Sequence, residues 1–187
     1  MIEFIEFCNR VYPLDEDALS ELQSIVSIKS VKKNQHLVHN NSHTKDFFFI
    51  QKGLVKLCFN GDGKEFIMRF FEENNLLADI ESYAKQKKSK YEIIALEDTE
   101  YLSFSFYNFE RLCNKHHNME TFFRKFMTMA NLNMINRISE ILEEDAKKRY
   151  YNFINENPQL LERISLGDLS SYLGITQVSL SRIRAKK

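Results

Sequence analysis

The chain has 187 residues, enough for one sizeable core or for one domain with a small module attached. It carries no formal net charge, and its 16 Phe and 8 Tyr against only 5 Gly and 2 Pro exclude a disordered or linker-like chain. No apolar stretch is long enough to span a membrane and the start lacks a basic, apolar leader, so we expect a cytoplasmic protein with no membrane partner.

The first predicted element is a helix between Leu14 and Ile25, where apolar residues recur at helical spacing behind Pro13 and Asp15. From residue 27 to about residue 105 the pattern changes to short runs of β-forming residues separated by turn sequences. The predicted strands are Gln35–Val38, Phe47–Gln51, Leu54–Phe59, Glu65–Phe71, Tyr91–Ala95 and Thr99–Phe106. Short strands at this spacing predict an all-β sandwich or jelly-roll barrel.

A long helical pattern follows the strands, from Tyr107 to about Lys148, without Pro or Gly. Apolar residues recur every three or four positions between Phe122 and Ile138. A small barrel could cover only part of such a helix, so we expect the remaining apolar surface to pair with a second copy of the chain. A helix packed wholly within its own subunit is the alternative.

The C-terminal residues predict two short helices joined by a tight turn. Leu166, Leu169 and Leu173 form an apolar face on the first helix, and Gly174 is the residue type that commonly ends a helix with a positive φ. Thr176 stands at the N-cap of the second helix. The outward residues of that helix are polar or basic: Gln177, Ser179, Ser181, Arg182 and Arg184. Such a pair is typical of a helix-turn-helix that enters a DNA major groove, and an ordinary helical hairpin is the alternative.

Charge is distributed unevenly along the neutral chain. Residues 146–187 hold eight Lys or Arg against three acids, whereas the rest of the chain holds 18 bases and 23 acids. A locally basic surface is what the release of counterions from DNA phosphates requires. The asymmetry therefore favours double-stranded DNA as a partner of the C-terminal segment.

Residues that could carry catalysis or bind a metal are few. The three cysteines are widely spaced, which predicts small buried side chains in a reducing compartment. His36, His39 and His43 lie close together, but no acid or thiol follows at zinc-finger distance. No Ser-His-Asp signature or phosphate-binding glycine loop is present. We predict no enzyme activity and no metal site; a metal-dependent cupin, which shares the β-roll shape, is the alternative.

A β-roll, a long helix and a C-terminal helix-turn-helix follow one another in the Crp/Fnr family of bacterial transcription regulators, and the chain resembles that family over nearly its full length. The clearest motif is Ser-Tyr-Leu-Gly-Ile-Thr-Gln-Val-Ser-Leu-Ser-Arg-Ile-Arg at 171–184, which is especially similar to the Bacteroidetes branch. Supporting stretches are Phe48–Lys56, Ala95–Thr99 and Lys148–Tyr151.

The resemblance implies an α+β fold in three parts. Residues 1–112 would form a β-roll sensor domain of the cyclic-nucleotide-binding type, a jelly roll. Residues 113–147 would form a long dimerisation helix, and residues 148–187 an all-α helix-turn-helix domain. Family members usually continue into a β-hairpin wing, and since this sequence stops at Lys187 we expect most of the wing to be lacking.

The resemblance also implies how the second helix meets DNA. Thr176 would hold a phosphate at the helix start, while Gln177 and Arg182 would address base edges. Ser179 or Ser181 could add polar contacts. The implied partners are a palindromic DNA operator and a second copy of the chain, bound through the long helix, with RNA polymerase as a further candidate.

The predicted effector pocket departs from the family pattern. Nucleotide-binding members carry a Gly-Glu pair and, further along, an Arg followed by Ser or Thr; here Asp79 stands near the first position and Ser89 replaces the Arg. Without that glycine and guanidinium, we expect a different small-molecule effector, or none, in preference to cyclic AMP or GMP, and assign no certain cofactor. The candidate pocket residues are Ala78, Asp79, Glu81, Ser82, Lys88, Ser89 and Lys90.

These expectations combine into one hypothesis, a homodimeric and sequence-specific transcription regulator with an effector-sensing β-roll. The alternative is a small-molecule-binding or interaction module whose helix-turn-helix is non-functional.

Overall fold

The computed structural model describes residues 1–185, so Lys186 and Lys187, at the end of the predicted DNA-binding segment, lie outside the described residues. The chain folds into an antiparallel β-sandwich, a long helix and further C-terminal helices, which confirms the predicted fold. Within the described range, no helix combines the length and the apolar character that crossing a bilayer requires.

Two helices precede the sandwich, α1 (Ile2–Val11) and α2 (Glu16–Ser24). The side chain of Asp15 accepts a hydrogen bond from the backbone N–H of Ala18 and thereby caps α2, as an N-cap aspartate does. The predicted helix at this position is therefore confirmed. Helix α1, whose Phe4 is buried against the sandwich, was not predicted.

In the described part of the chain, eight strands form the sandwich: β1 (Ser27–Val31), β2 (His36–Val38), β3 (Asp46–Lys52), β4 (Val55–Gly61), β5 (Lys64–Phe71), β6 (Leu76–Ala78), β7 (Glu92–Ala95) and β8 (Thr99–Ser105). One sheet has the order β1-β8-β3-β6 and the other β2-β7-β4-β5, with every pair antiparallel. The six predicted strands are all present. The two that were missed are β1, which is mostly exposed, and β6, which has three residues.

Aromatic side chains fill the space between the first sheet and the helices beside it. The Phe47 ring lies 4.0 Å from that of Phe106 and 5.0 Å from that of Phe104, between centroids, and Phe4 lies 5.0 Å from Phe49. Each such pair adds about 0.5–1.5 kcal/mol beyond the burial of its area. The interior between the two sheets holds a second apolar cluster, formed by Val38, Phe48, Ile50, Val55, Phe71, Leu77, Ile93, Ala95 and Tyr101.

Helix α3 (Ile80–Lys85) lies between β6 and β7, and α4 (Phe106–Lys115) and α5 (His117–Glu143) follow the last strand. His116 has extended backbone and divides the long helical pattern into α4 and α5. With 27 residues, α5 is about 40 Å long. Met119 and Phe122 in its first turns are buried, whereas most of its later residues are exposed.

The chain ends in α6 (Ala146–Glu156), a 3-10 helix (Pro158–Glu162), α7 (Leu166–Leu173) and α8 (Gln177–Ala185). We call α7 and α8 the C-terminal helix pair. Gly174 ends α7 with a φ of +68°, in the left-handed region that suits glycine. Thr176 caps α8, because its hydroxyl accepts a hydrogen bond from the N–H of Ser179 at 3.1 Å. Both local predictions for this turn are confirmed.

Candidate nucleic-acid interface and effector pocket

The outer face of α8 carries the residues that were predicted to contact DNA. Gln177, Ser181 and Arg184 are exposed and lie on one ridge of the helix, since their spacing is four and three residues. Arg182 is exposed on the neighbouring ridge, and Thr176 is exposed at the helix start. Ser179 is half-buried and bonds to Thr176. The structure therefore leaves five of the six predicted residues exposed on α8 or at its N-cap, whereas Ser179 is half-buried.

The two arginines of this face have no acidic side chain within 4 Å among residues 1–185. Arg182 and Arg184 lie in the last turn of α8, where the partial negative charge of the helix end stabilises a cation. Their guanidinium groups are therefore available to phosphate oxygens or base edges.

The opposite side of the C-terminal helix pair packs on the second sheet. A buried apolar cluster joins sandwich residues Leu54, Cys58, Ile67, Phe70 and Leu96 to Phe153, Leu160, Leu169, Leu173 and Leu180. Because the buried contacts come mainly from α7 and from the inner side of α8, the polar face of α8 points away from the sandwich.

Ionic contacts of the buried Lys56 connect α7 to this sheet. The Lys56 ammonium on β4 lies 2.8 Å from Glu65 on β5 and 2.8 Å from Asp168 in the first turn of α7. Burial acts to raise the pKa of Asp168, but hydrogen bonds from Lys56 and Ser165 outweigh it and lower the pKa. Burial likewise acts to lower the pKa of Lys56, and its hydrogen bonds to Asp168 and Glu65 raise it instead. Both groups are therefore charged at neutral pH.

Arg163, which follows the 3-10 helix, makes a second set of ionic contacts with the sandwich. Its guanidinium donates two hydrogen bonds to Glu73, at 2.9 Å each, and two to Glu97, at 2.8 and 2.9 Å. Glu73 also accepts a hydrogen bond from the N–H of Gly53 at 2.7 Å. Burial acts to raise the pKa of Glu73, but the bonds from Arg163 and from backbone N–H groups outweigh it and lower the pKa. This double fork fixes the segment before α7 against two loops of the sandwich.

The predicted effector residues cluster around α3. Asp79 is buried, and its Oδ1 caps α3 by accepting a hydrogen bond from the N–H of Ser82 at 3.0 Å. Its Oδ2 is also buried and has no hydrogen-bond partner among residues 1–185. The buried Ser89 donates to the Tyr91 carbonyl and accepts from the Tyr91 N–H, at 2.9 Å each. The hydroxyl of Ser89 is thus engaged by the backbone of its own loop.

The charged residues of this region pair with one another. Glu81 lies 2.8 Å from Lys85 and 3.0 Å from Lys90, and hydrogen bonds from these lysines lower the pKa of Glu81 to about 2. Lys88 is exposed, and Ala78 is half-buried at the end of β6. The predicted pocket residues are therefore neighbours along the chain and around α3, but most of their polar groups are bonded to nearby side chains or backbone. Their role in effector binding stays a prediction.

A cavity of about 590 Å³, which the sequence analysis did not predict, lies where β5, α5, α6 and α7 meet. Its lining includes Arg69 and Arg137, the carboxylates of Glu140 and Glu144, and the ring of Tyr172. Burial lowers the pKa of Arg69. No local sequence signal could have found this cavity, because its walls come from four elements far apart in the chain.

The remaining reactive side chains lie apart from these surfaces. His36 and His39 stack with centroids 4.3 Å apart, and His36 Nε2 lies 3.2 Å from Glu92. Across residues 1–185, no group of three or more His, Cys, Asp or Glu is arranged to hold a metal. Cys8 and Cys58 are buried as predicted, whereas the prediction was wrong for Cys113, which is only half-buried. Burial raises the pKa of the Cys8 and Cys58 thiols to about 12, which keeps both protonated and unreactive.

Comparison with known proteins finds a family model that matches the sandwich. Residues 28–116 match the family model of the cyclic nucleotide-binding domain. This range runs from β1 through α4 and so includes both sheets of the sandwich. No relative is found among curated proteins.

Solved structures match both the sandwich and the helices after it. The c-di-GMP-responsive global regulator CLP of Xanthomonas campestris superposes with a TM-score of 0.76 at 11% identity, covering 92% of this chain and 91% of CLP. A transcriptional regulator of the Crp/Fnr family from Eubacterium rectale gives 0.74 at 14% identity, covering 93% and 85%. FixK2 from Bradyrhizobium japonicum gives 0.72 at 16% identity, covering 87% and 84%. At these identities, the likeness shows a shared fold, and the neighbours include regulators of the Crp/Fnr family.

Proposed function

We propose that the chain is a homodimeric, sequence-specific DNA-binding transcription regulator of the Crp/Fnr type, with the cyclic nucleotide-binding domain as its sensor. The observation that carries the proposal is the polar outer face of α8, which is exposed while α7 packs on the sandwich. A recognition helix must be accessible in this way before it can enter a major groove. The shared fold of the structural neighbours supports the same function.

The residues of α8 suit a base-reading role. Gln177 can pair with the N6 and N7 edge of adenine, and Arg182 with O6 and N7 of guanine, each through two hydrogen bonds. The free N–H groups at the start of α8, next to Thr176, favour a phosphate. Ser181 and Arg184, along the ridge that begins at Gln177, can add contacts to the DNA backbone. Together they provide both positioning and base-specific contacts.

The exposed apolar residues of α5 support dimerisation. Leu132, Ile135, Ile138 and Leu142 are 55%, 57%, 50% and 78% exposed, and they repeat every three or four residues on one side of the helix. A row of this kind is typical of a surface that is covered in the assembled protein. A second copy of the chain, paired along α5, would supply the two-fold arrangement that a palindromic operator requires.

The effector is a separate question from DNA binding. The resemblance implies that Ser89 stands where nucleotide-binding members carry an arginine; its hydroxyl bonds to the Tyr91 backbone, and Lys90 is paired with Glu81. These contacts favour a sensor that responds to a different small molecule, or to none, over one that responds to a cyclic nucleotide. RNA polymerase is a further candidate partner of the DNA-bound dimer.

Fluorescence anisotropy with DNA from upstream of the protein's own gene tests the proposal. We expect tight binding to one fragment and weak binding to a scrambled fragment of equal length. Replacing Gln177 and Arg182 by alanine should reduce this preference at least tenfold, since each lost pair of base contacts costs about 1–3 kcal/mol. The matched control replaces Gln23 and Arg10 by alanine, since both are exposed on α2 and α1. Binding that ignores sequence would favour the alternative of a module with a non-functional helix-turn-helix.

A further inference from the structure

Helix α7 is bound at its two ends by different parts of the protein. At its start, the Asp168 carboxylate accepts hydrogen bonds from the Ser165 hydroxyl and from the Lys56 ammonium of β4. Glu65 on β5 holds the same ammonium from the other side, so the start of α7 is attached to the β4–β5 hairpin of the sensor domain.

The end of α7 is attached to α5 and α6 instead. The Arg149 guanidinium of α6 donates to the Leu173 carbonyl at 3.0 and 3.2 Å. The Arg137 guanidinium of α5 donates to the Tyr172 carbonyl and lies 3.8 Å from the centroid of the Tyr172 ring. These carbonyls are among the last of α7, which lack partners inside the helix and carry its partial negative charge.

Among the described residues, α8 makes no comparable ionic contact with the rest of the protein. Its position therefore depends on its packing against α7. Leu180 is buried in the same cluster as Leu169 and Leu173, and the amide of Gln177 packs against Gly167. A tilt of α7 therefore carries the exposed face of α8 with it.

From these contacts we infer that Lys56, Asp168 and Arg137 are positioning residues for DNA recognition. They set the angle of α7 between the β4–β5 hairpin and the long helix, and through α7 they set the angle of α8. A ligand that shifts the hairpin, or a dimer contact that shifts α5, would turn the recognition face without touching it. The inference rests on the proposed function, because it assigns these residues to the control of DNA binding.

Two substitutions separate the two attachments. Asp168→Asn removes the charge that meets Lys56, while Lys56 keeps its bond to Glu65 inside the sandwich. Arg137→Met keeps most of the apolar stem and removes the guanidinium from the end of α7. The matched controls are Asp98→Asn, which removes an exposed ion pair with Lys32, and Arg124→Met, an exposed arginine of α5.

The test measures the orientation of α8 directly, in the full chain without DNA. Spin labels on Val178→Cys of α8 and Ile28→Cys of β1, both well exposed, report one distance when labelled chains are diluted with unlabelled chains. Cys113, which is half-buried, is replaced by serine in all samples. We expect a narrow distance distribution in the parent and in both controls, and a broadened or shifted one in Asp168→Asn and Arg137→Met.

DNA binding by the same proteins without labels completes the test. If the DNA-ready angle falls to about a tenth of the population, the apparent Kd for the preferred fragment rises about tenfold. Unchanged distances in both variants, with folding verified by circular dichroism, would overturn the inference. Tighter DNA binding would also overturn it, since the attached orientation would then be the inactive one. Failure of the proposed function has a different signature, namely that the parent protein binds DNA without regard to sequence.

Discussion

The side-chain amide of Gln177 packs directly over Gly167, and its nitrogen lies 3.2 Å from the point where a Cβ on Gly167 would be. One residue is a candidate base reader on α8, and the other lies in the first turn of α7. The glycine therefore leaves room for the Gln177 amide in its present position. This contact links the packing of the C-terminal helix pair to its proposed recognition face.

The first prediction concerns Gly167→Ala. Alanine stabilises a helix by about 1 kcal/mol relative to glycine, so we expect thermal unfolding at an unchanged or higher temperature. The new methyl group would shift the Gln177 amide by a few tenths of an ångström, so discrimination at the base pair that Gln177 reads should fall by up to about tenfold. Anisotropy with single-base variants of the preferred DNA measures this loss.

The double substitution of Gly167 and Gln177 by alanine serves as the control for this prediction. Because both changes remove the same base contact, their effects on discrimination should not add. Additive losses would mean that Gly167 acts on DNA binding by another route.

The second prediction concerns the apolar row on α5. Leu132→Glu or Ile135→Glu would place a charge inside the proposed dimer interface. Burying an unpaired charge in a coiled-coil contact costs enough free energy to prevent association. We expect a monomer by light scattering after size exclusion, and operator binding weakened by more than tenfold because two half-sites can no longer be bound together. Arg124→Glu, on an exposed position of the same helix, should leave the dimer intact. A parent protein that is already monomeric would contradict the dimer proposal.

The third prediction is a pH dependence of stability that arises from Asp168. Its pKa in the folded protein lies below the ordinary value of 3.8, since hydrogen bonds from Lys56 and Ser165 outweigh the effect of burial. A lowered pKa contributes stability at pH values above 3.8, and this contribution disappears as the pH falls through the folded-state pKa.

Urea unfolding at a series of pH values checks this sign. Asp168→Asn should be less stable than the parent at about pH 6, and the difference should shrink toward about pH 2. Asp62→Asn, in the exposed turn between β4 and β5, should follow the parent throughout. A difference that grows on acidification would refute the assigned role of Asp168.

The fourth prediction concerns Ser89, whose hydroxyl bonds to the backbone of Tyr91. Ser89→Ala would leave the Tyr91 N–H without its side-chain acceptor, and we expect a loss of about 1–3 kcal/mol in the free energy of unfolding. Ser24→Ala removes an exposed hydroxyl that bonds to the Glu21 carbonyl and should cost clearly less. Equal effects would show that the Ser89 hydroxyl is not needed to close its loop.

Local chemistry made part of this fold predictable. The turn between α7 and α8 was predicted correctly because Gly174 and Thr176 act on the backbone beside them. The strands in which apolar and polar residues alternate strongly were also predicted, because this alternation is a local property of the sequence. In contrast, β1 was missed because its outward residues give no alternation, and α1 was missed although Phe4 and Cys8 mark its buried side.

Contacts between segments that are distant along the chain could not be predicted from the sequence. Lys56 and Asp168 are 112 residues apart, and no pattern in the chain connects them. From the sequence, Arg163 was only one of the basic residues of the C-terminal segment, whereas in the structure its guanidinium donates hydrogen bonds to two carboxylates of the sandwich. The Bacteroidetes branch, the operator and the effector likewise stay predictions, because a shared fold determines none of them.

The length of α5 has a geometric consequence for any regulator built on it. A rod of about 40 Å that tilts by about 5° at one end moves its other end by about 3.5 Å. That displacement is close to the rise of about 3.4 Å from one base pair to the next along a DNA strand. A tilt of about 5° where α5 packs on the sandwich would therefore move the other end of α5 by about the spacing of one base pair.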